Sequence, residues 1–425
     1  MHRFLTLILM VMLLVGCTGT PLVEETTPSE TQPTPTETPL PTPEVSLPDS
    51  DAPITLRVWV PPQFDPADGS AAGALFQSRL DEFAARKTNV DIEVRVKNED
   101  GPGGILDTLE TGSAAAPLAL PDLAILSHYG IESATDQGLL HTFDGLTTIL
   151  DDPDWYSFAR QLSHLKNTTL GIPLAGDALL MAYRPDVITV PPVDWAASLL
   201  ITNTLAFPAA DPEATVTFLH YQSLGGASIG EAAQPAIDSV LLTEVLTYYQ
   251  QASASELMPF WLTQYETDQQ VWDAYEQQQA DMAITWVSRY LQLLPTDTAA
   301  APVPTFDGAP FTMADGWAWA LTTHDADRQL LATQLAEFLT TPEYLASWTE
   351  AAGLIPPRPS SLAGWENTAE QTLLNQIAPT AQLSPPQEVI DLLGPVLQQA
   401  VVSVLKAEMD ATTAAQTALE KLNVP

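Results

Sequence analysis

Between residues 54 and 138, hydrophobic positions follow the two-residue period of strands in some segments and the 3.6-residue period of helices in others. Every second residue is apolar in 54–60 and again in 90–96, which predicts two strands. Between them, one helical face collects the side chains of Leu75, Phe76, Leu80, Phe83 and Ala84. A helix near 104–111, a strand at 121–126 and a helix at 130–138 follow. This order of strands and helices predicts a parallel sheet covered by helices.

The ends of the predicted strands mark candidate binding residues. In sheets of this kind, ligands bind beyond the carboxyl ends of the strands. Trp59 and Phe64 lie at and after the end of the first strand, and His128 and Tyr129 follow the third. Each of these side chains has a structural alternative, since the aromatic rings can pack in the core and His128 can cap a helix.

The N-terminus has the pattern of an export signal. Eleven mostly apolar residues at 5–15 follow His2 and Arg3 and are too few to span a bilayer. The tetrapeptide ending in Cys17, the only cysteine, resembles a bacterial lipobox, which implies a signal peptide at 1–16 and acylation (palmitate) of Cys17. An ordinary secretory peptide with a chance cysteine and an uncleaved anchor helix are the alternatives.

The segment from 17 to 52 differs in composition from the rest of the chain. It is rich in Pro and Thr, contains acidic residues, and has no aromatic residue and no Lys or Arg. Such a segment cannot bury a core, so we expect a disordered and extended tether. With the lipobox, it predicts an extracytoplasmic protein held at the cell membrane by lipid, on either a periplasmic or a cell-surface side.

Composition narrows the function of residues 53–425. Hydrophobic residues make up 45% of the chain and charged residues 16%, which indicates a well-packed globular body. Lys and Arg number 15 against 53 Asp and Glu, a formal net charge of −38 that disfavours nucleic acid as a partner. The six histidines are scattered without a metal-binding motif, so no metal or cofactor is expected. No later segment is predicted to span a membrane.

Several phrases, in order, resemble one family. They are ITLRVWV, LDEFAARKTNVDIEVRV, PDLAIL, ATDQGLLHTFDGL, VDWAASL, AYEQQQADMAITW and the long block from DGWAWAL to GLIPPRP. Together they resemble the extracellular solute-binding proteins of family 1, the sugar-binding lipoproteins of ABC importers. Two departures are Arg184-Pro185, where the family usually has Asn-Lys, and Gln278-Gln279 in place of Gly-Lys.

The resemblance implies a two-lobed α/β fold of the type II periplasmic-binding-protein class, each lobe a mainly parallel sheet flanked by helices. Lobe 1 is expected at 53–173 plus about 311–348, and lobe 2 at about 174–310 plus 349–425. The implied function is capture of a sugar or oligosaccharide between hinged lobes by a monomer, which then delivers it to the permease subunits. The same fold binding a non-sugar solute is an alternative.

Aromatic residues carry the sugar interpretation. The chain has 10 Trp and 10 Tyr, and flat rings stack on sugar faces while polar groups bond the hydroxyls. Trp317 is favoured over Trp319, whereas Trp195, Trp272, Trp348 and Trp365 are expected in the core. The complete set of candidate ligand contacts is Trp59, Phe64, His128, Tyr129, Asp177, Tyr183, Trp286, Arg289 and Trp317.

Enzymatic function is the alternative of another class. Residues 226–230 read GASIG and match the nucleophile-elbow pattern of Ser hydrolases at Ser228. That elbow requires a strand before the serine, whereas 214–224 has a helical pattern that ends at Gly225-Gly226. A glycosidase would need two facing carboxylates, which the sequence neither identifies nor excludes. We therefore expect a binding protein and not an enzyme; a purely structural lipoprotein is a third interpretation.

Overall fold

The computed structural model describes residues 53–87, 89–230 and 234–422. The predicted signal peptide, the tether and the lipidation of Cys17 lie outside these residues. Eleven strands are described: β1 Ile54–Val60, β2 Val90–Val96, β3 Leu123–Ser127, β4 His164–Leu165, β5 Thr168–Thr169, β6 Gly171–Tyr183, β7 Leu205–Ala206, β8 Met282–Trp286, β9 Ala299–Ala301, β10 Thr312–Leu321 and β11 Ala381–Leu383.

Helices surround the strands. Those described are α1 Ala71–Arg86, α2 Ile105–Ala115, α3 His128–Asp136, α4 Ser157–Ser163, α5 Trp195–Ser198, α6 Thr215–Ser223, α7 Ser239–Ala254, α8 Asp268–Glu276, α9 Val287–Leu293, α10 Ala326–Phe338, α11 Pro342–Ala352, α12 Pro359–Ala363, α13 Thr368–Ile377, α14 Gln387–Leu405 and α15 Ala411–Leu422. The elements predicted between residues 54 and 138 all form, with ends shifted by a few residues.

Nine strands form a mixed sheet with the main order β2-β1-β3-β10-β6-β8-β7, in which β11 pairs with β10 and β9 with β6. Strands β4 and β5 form a separate two-stranded sheet. Strands β1, β2 and β3 run parallel, as their pattern predicted. Strand β10 runs antiparallel to both β3 and β6, and β6 runs antiparallel to β8. The α/β class is therefore confirmed, and the sheet is mixed because β10 and β6 enter it in opposite directions.

Three hydrophobic clusters pack against this sheet. Two lie on opposite faces of β1, β3 and β10, because Leu56 and Val58 belong to one cluster and Trp59 to the other. A larger cluster covers the far half of β6 with β8, α7 and α14. Strand β6 joins the clusters: Ile172 packs with the first and Met181 with the larger one.

A glycine with a positive φ follows each of two helices, as the sequence pattern predicts for Gly225. Gly225 follows α6 with φ +84°, and Gly353 follows α11 with φ +66°. Both angles are in the left-handed region, where a side chain is disfavoured and glycine is not. Gly353 also lies against Leu291 and Gln292, so a larger residue there would meet α9 as well.

One helix corrects the expectation that no later segment could span a membrane. By length and composition, α14 is apolar enough to cross a bilayer, with a mean hydropathy of 1.4. Its residues Leu393, Leu397 and Val401 are buried in the larger cluster. Of its most apolar stretch, 56% is buried inside the protein, as expected of a core helix.

A buried carboxylate fastens α10 to the sheet. Asp122 is 2% exposed, accepts the Arg57 backbone N–H at 2.8 Å and accepts the Arg328 Nε–H at 2.7 Å. Arg328 also donates to the Thr55 carbonyl oxygen at 2.6 Å. The Asp122 carboxylate raises the pKa of Arg328. The ion pair thus connects β1, the residue before β3 and α10.

We predict that Asp122→Ala lowers the free energy of unfolding by about 3–5 kcal/mol, because Arg328 loses its partner in a partly buried place. Chemical denaturation measures the change. Asp186→Ala, at an exposed position, is the control and should change stability by less than about 0.5 kcal/mol. Equal stabilities of the two variants would contradict a structural role for the pair.

Candidate functional site

A cavity of about 1020 Å³ opens beyond the carboxyl ends of β2 and β3. Its walls come from separate parts of the chain: the loop after β2, β3 and α3 on one side, and residues around α6 and the start of α14 on the other. The lining residues that the following paragraphs use are Glu99, Ser127, His128, Tyr129, Glu132 and Glu213. The cavity lies where ligands bind in α/β sheets.

The turn from β3 into α3 places two predicted residues in the cavity wall. The Ser127 hydroxyl caps α3 by accepting the Gly130 N–H at 3.0 Å. His128 and Tyr129 form the first turn, and both line the cavity. His128 Nε2 lies 3.3 Å from a Glu132 carboxylate oxygen, one helical turn further on. Burial raises the pKa of the Tyr129 hydroxyl, and the charge of Asp315 adds to the effect.

Glu99 is held against the same turn. Its carboxylate accepts the Ser127 N–H at 3.0 Å and also contacts the Ser127 hydroxyl. Burial raises the pKa of Glu99 to about 7, the Ser127 hydrogen bonds oppose that shift, and the charges of Asp100 and Asp315 add to it. Glu99 therefore changes its charge near neutral pH.

Two aspartates face each other where β6 and β10 pair. Asp177 and Asp315 are opposite residues in the antiparallel register, an arrangement in which like charges are unfavourable. Asp177 accepts the Ser288 N–H at 3.0 Å and is 5% exposed. Burial raises the pKa of Asp177 to about 7, despite its hydrogen bonds. Burial also raises the pKa of Asp315, and the nearby His128 opposes this shift only in part.

Trp286 lies in a second, smaller cavity of about 180 Å³. It ends β8 opposite Leu179 of β6. Glu213 lines both cavities, so they are neighbours along one wall. The pKa of Glu213 is raised by partial burial and by the charges of Asp211 and Asp315.

Arg289 and Tyr183 line neither cavity. Arg289 pairs with Asp268 and donates to the Gln269 side-chain oxygen at 2.7 Å. Tyr183 ends β6, where it pairs with Met282 and Ala299, six residues beyond Asp177. As ligand contacts, both stay predictions.

Trp59, Phe64 and Trp317 also line neither cavity. Trp59 is 2% exposed and lies under the Lys97 amino group, 4.2 Å from the ring centroid. Phe64 packs edge-on against Trp317, with centroids 5.5 Å apart, and also contacts Trp348. Trp317 is partly buried against the same cluster. A ligand role for the three stays a prediction.

The contrast between Trp317 and Trp319 needs a correction. Trp317 and Trp319 are two residues apart in β10, so their side chains point to the same face. Both pack with the cluster that contains Phe64, and they differ in depth because Trp319 is fully buried. The core placement of four other tryptophans is confirmed, since at most 5% of each is exposed: Trp195, Trp272, Trp348 and Trp365.

Sequence reasoning missed most of the acidic groups at the site. Glu99 follows β2 just as His128 follows β3, so the strand-end rule that selected His128 also applies to Glu99. Asp315 was detectable as a lone charge within the apolar strand TMADGWAWAL. Glu132 lies one helical turn after His128. Glu213 had no local signal, because its place depends on tertiary packing.

The cavity is rich in hydrogen-bond acceptors and suits a ligand with many donors. Six carboxylates line it, against one lysine, Lys166, which is 2.6 Å from Asp136. No cluster of three or more His, Cys, Asp or Glu that could hold a metal ion is found within the described ranges. Ser228 also lines the cavity, but α6 and not a strand precedes it, so the nucleophile-elbow context is absent.

A family model, described as bacterial extracellular solute-binding protein, matches residues 78–373. The chain belongs to this family. The family expected from the sequence is thus confirmed, and its members are extracellular binding proteins. A search of curated protein sequences finds no matching relative.

Solved structures with the same fold include several sugar-binding proteins. The cyclic alpha-maltosyl-1,6-maltose binding protein of Arthrobacter globiformis has a TM-score of 0.72 at 18% identity, covering 88% of this chain and 98% of its own. MalE of Listeria monocytogenes with maltose has a TM-score of 0.70 at 14% identity, covering 87% and 96%. The GacH receptor of Streptomyces glaucescens, solved with acarbose, has a TM-score of 0.63 at 14% identity, covering 86% and 96%. The type II periplasmic-binding-protein fold is therefore established.

The raised pKa of Glu99 predicts a pH-dependent stability. Because the pKa is about 7 in the fold and near 4.5 when unfolded, Glu99 contributes stability that is present below about pH 4.5 and lost as the pH rises through 7. Glu99→Gln should therefore raise the free energy of unfolding at about pH 8 by about 2–3 kcal/mol relative to the parent, and by little at about pH 5.

Thermal melts of the parent and the variant across this pH range check the prediction. Glu110→Gln, at an exposed position on α2, is the matched control and should leave the pH profile unchanged. A Glu99→Gln profile parallel to that of the parent would show that this carboxylate is not the titrating group.

Proposed function

We propose that the protein is the solute-binding component of an ABC importer and that it captures a saccharide between two hinged lobes. One lobe consists of the two clusters around β1, β3 and β10, and the other of the larger cluster around β6, β8 and α7. The observation that carries the proposal is the cavity of about 1020 Å³, with walls from α3 on one side and the α6 region on the other.

The connections between the clusters support a hinge. Strands β6 and β10 both pass from one cluster to the other. A third passage is the step from Leu354 to Ile355, where Ile355 exchanges two 2.8 Å backbone hydrogen bonds with Gly176 of β6. Rotation about a few residues in such passages closes two lobes over a ligand without unfolding either core. Closure removes both faces of the solute from water at once.

The chemistry of the walls favours a polyhydroxylated solute. Glu99 and Glu132 offer acceptors for hydroxyl groups in the large cavity, while Tyr129 in that cavity and Trp286 in the smaller one offer ring faces for the apolar side of a sugar. The fold is shared with proteins that were solved with maltose and with acarbose. The candidate contacts that line a cavity are therefore His128, Tyr129 and Trp286, and the other candidates line neither cavity and stay further predictions: Trp59, Phe64, Asp177, Tyr183, Arg289 and Trp317.

The location follows from the family and from the N-terminal sequence. The family is extracellular. A Cys17 lipid anchor and the tether at 17–52 would hold the binding body, acting as a monomer, near the permease subunits that receive the solute. No catalytic step is part of this proposal.

We predict that Trp286→Ala weakens saccharide binding by more than tenfold, about 1.4 kcal/mol, because the ring lines the smaller cavity next to the large one. A thermal-shift screen of neutral saccharides identifies the ligand, and calorimetry with the best of them measures the change. Trp261→Ala is the matched control, since Trp261 is also partly buried but packs against Tyr265 and lines neither cavity.

Retained affinity in Trp286→Ala would remove that residue from the site. A screen in which saccharides give no shift, while amino acids or peptides do, would replace the sugar with another solute and leave the importer role. Hydrolysis of a glycoside or ester that is lost in Ser228→Ala would favour an enzyme instead.

A further inference from the structure

Three carboxylates differ in their relation to the large cavity: Glu99 lines it, whereas Asp177 and Asp315 line neither cavity. Asp315 lies near His128, whose charge lowers the pKa of Asp315. Glu99, Asp177 and Asp315 form no ion pair with any Lys or Arg in the part of the chain that the structure describes. Their partners are neutral donors: Ser127 for Glu99, the Ser288 N–H for Asp177 and the Gly316 N–H, at 2.7 Å, for Asp315. Buried carboxylates are normally paired with cations, so this set is unusual.

The charge of Asp315 acts on the acids around it. The charge of Asp315 raises the pKa of Glu99, Asp177 and Glu213, and Asp315 is opposite Asp177 in the pairing of β10 with β6. The lining adds Asp100, Glu132 and Glu388, whereas its lysine is already paired with Asp136. A positive charge entering the cavity would relieve this repulsion without displacing a protein cation.

A second observation, independent of the acids, is the imidazole of His128. His128 is 5% exposed and lines the cavity, and its Nδ1 has no hydrogen-bond partner. Its Nε2 lies 3.3 Å from a Glu132 oxygen, so a neutral imidazole donates there and keeps its lone pair on Nδ1. The buried nitrogen that lacks a partner is then an acceptor too.

We propose that the solute carries a protonated amino group, as in an amino sugar, and that the ammonium binds in the large cavity beside Glu99, Glu132 and His128, with the charge of Asp315 adding to the attraction from outside the lining. An ammonium has three donors and no acceptor, so it complements a site made of acceptors. Each hydroxyl of a neutral sugar has only one donor, and such a sugar carries no positive charge to balance the carboxylates. This inference rests on the proposed binding function and specifies its ligand class.

Matched ligand pairs test the inference on the full chain. Maltose and maltotetraose are each compared with derivatives in which one 2- or 6-hydroxyl is replaced by an amino group. Calorimetry is run near neutral pH at about 0.15 M salt, which screens attraction to the acidic surface. At least one amino derivative should bind more than tenfold tighter than its parent, equal to about 1.4 kcal/mol.

Variants test which residues cause the preference for the amino derivative over its neutral parent. Glu99→Gln and Asp315→Asn should each reduce it to less than about threefold, a loss of at least 0.7 kcal/mol, with less effect on the neutral parent. If Asp315→Asn fails to fold, as judged by its melting curve, Glu132→Gln takes its place. Glu408→Gln, at an exposed position outside the cavity, is the control and should keep the full preference.

The outcomes separate the two proposals. If neutral sugars bind and no amino derivative binds tighter, the amino-sugar inference is wrong and the proposed function stands. A preference that persists unchanged in Glu99→Gln and Asp315→Asn would also overturn the inference, since it would show attraction to the surface. Failure of every neutral and amino sugar to bind would overturn the inference together with the saccharide part of the proposed function, and would leave the importer role.

Discussion

The antiparallel pairing of β6 with β10 holds the structure together. The two strands pair from Gly171 with Ala320 to Ala178 with Ala314, and each has residues in more than one hydrophobic cluster. Hydrogen bonds between neighbouring strands fix their distance and register. The same pairing therefore joins the clusters.

That pairing also explains the electrostatics of the site. It brings Asp177 opposite Asp315, at a depth where water cannot solvate two charges well. Glu99 in the loop after β2 and Glu132 of α3 add negative charge. A protein that needed only stability would gain from apolar residues or from a basic partner here. The presence of these carboxylates is understandable if a solute supplies the interactions that the protein does not. The fold and the binding of a solute are connected in this way.

Local patterns predicted the outer strands well and the central ones poorly. Strands β1 and β2 alternate between apolar and polar residues because one face is more accessible, so their ends were evident from the sequence. Strand β6 is buried on both sides along most of its length, and such a strand has no alternation to detect. Its register with β10 depends on residues far apart in the chain, so the pairing of Asp177 with Asp315 could not be predicted.

The same distinction holds for the site. His128 and Tyr129 were predicted from a strand end, a local cue that places them in the cavity wall, whereas the aromatic candidates Trp59 and Phe64 pack within clusters. The central claim is that a bound solute closes two hinged lobes. Distances between spin labels at Asp81→Cys on α1 and Glu244→Cys on α7, in a Cys17→Ser background, test it directly. The account predicts a shifted and narrower distance distribution at saturating ligand; an unchanged distribution with the site fully occupied would contradict it.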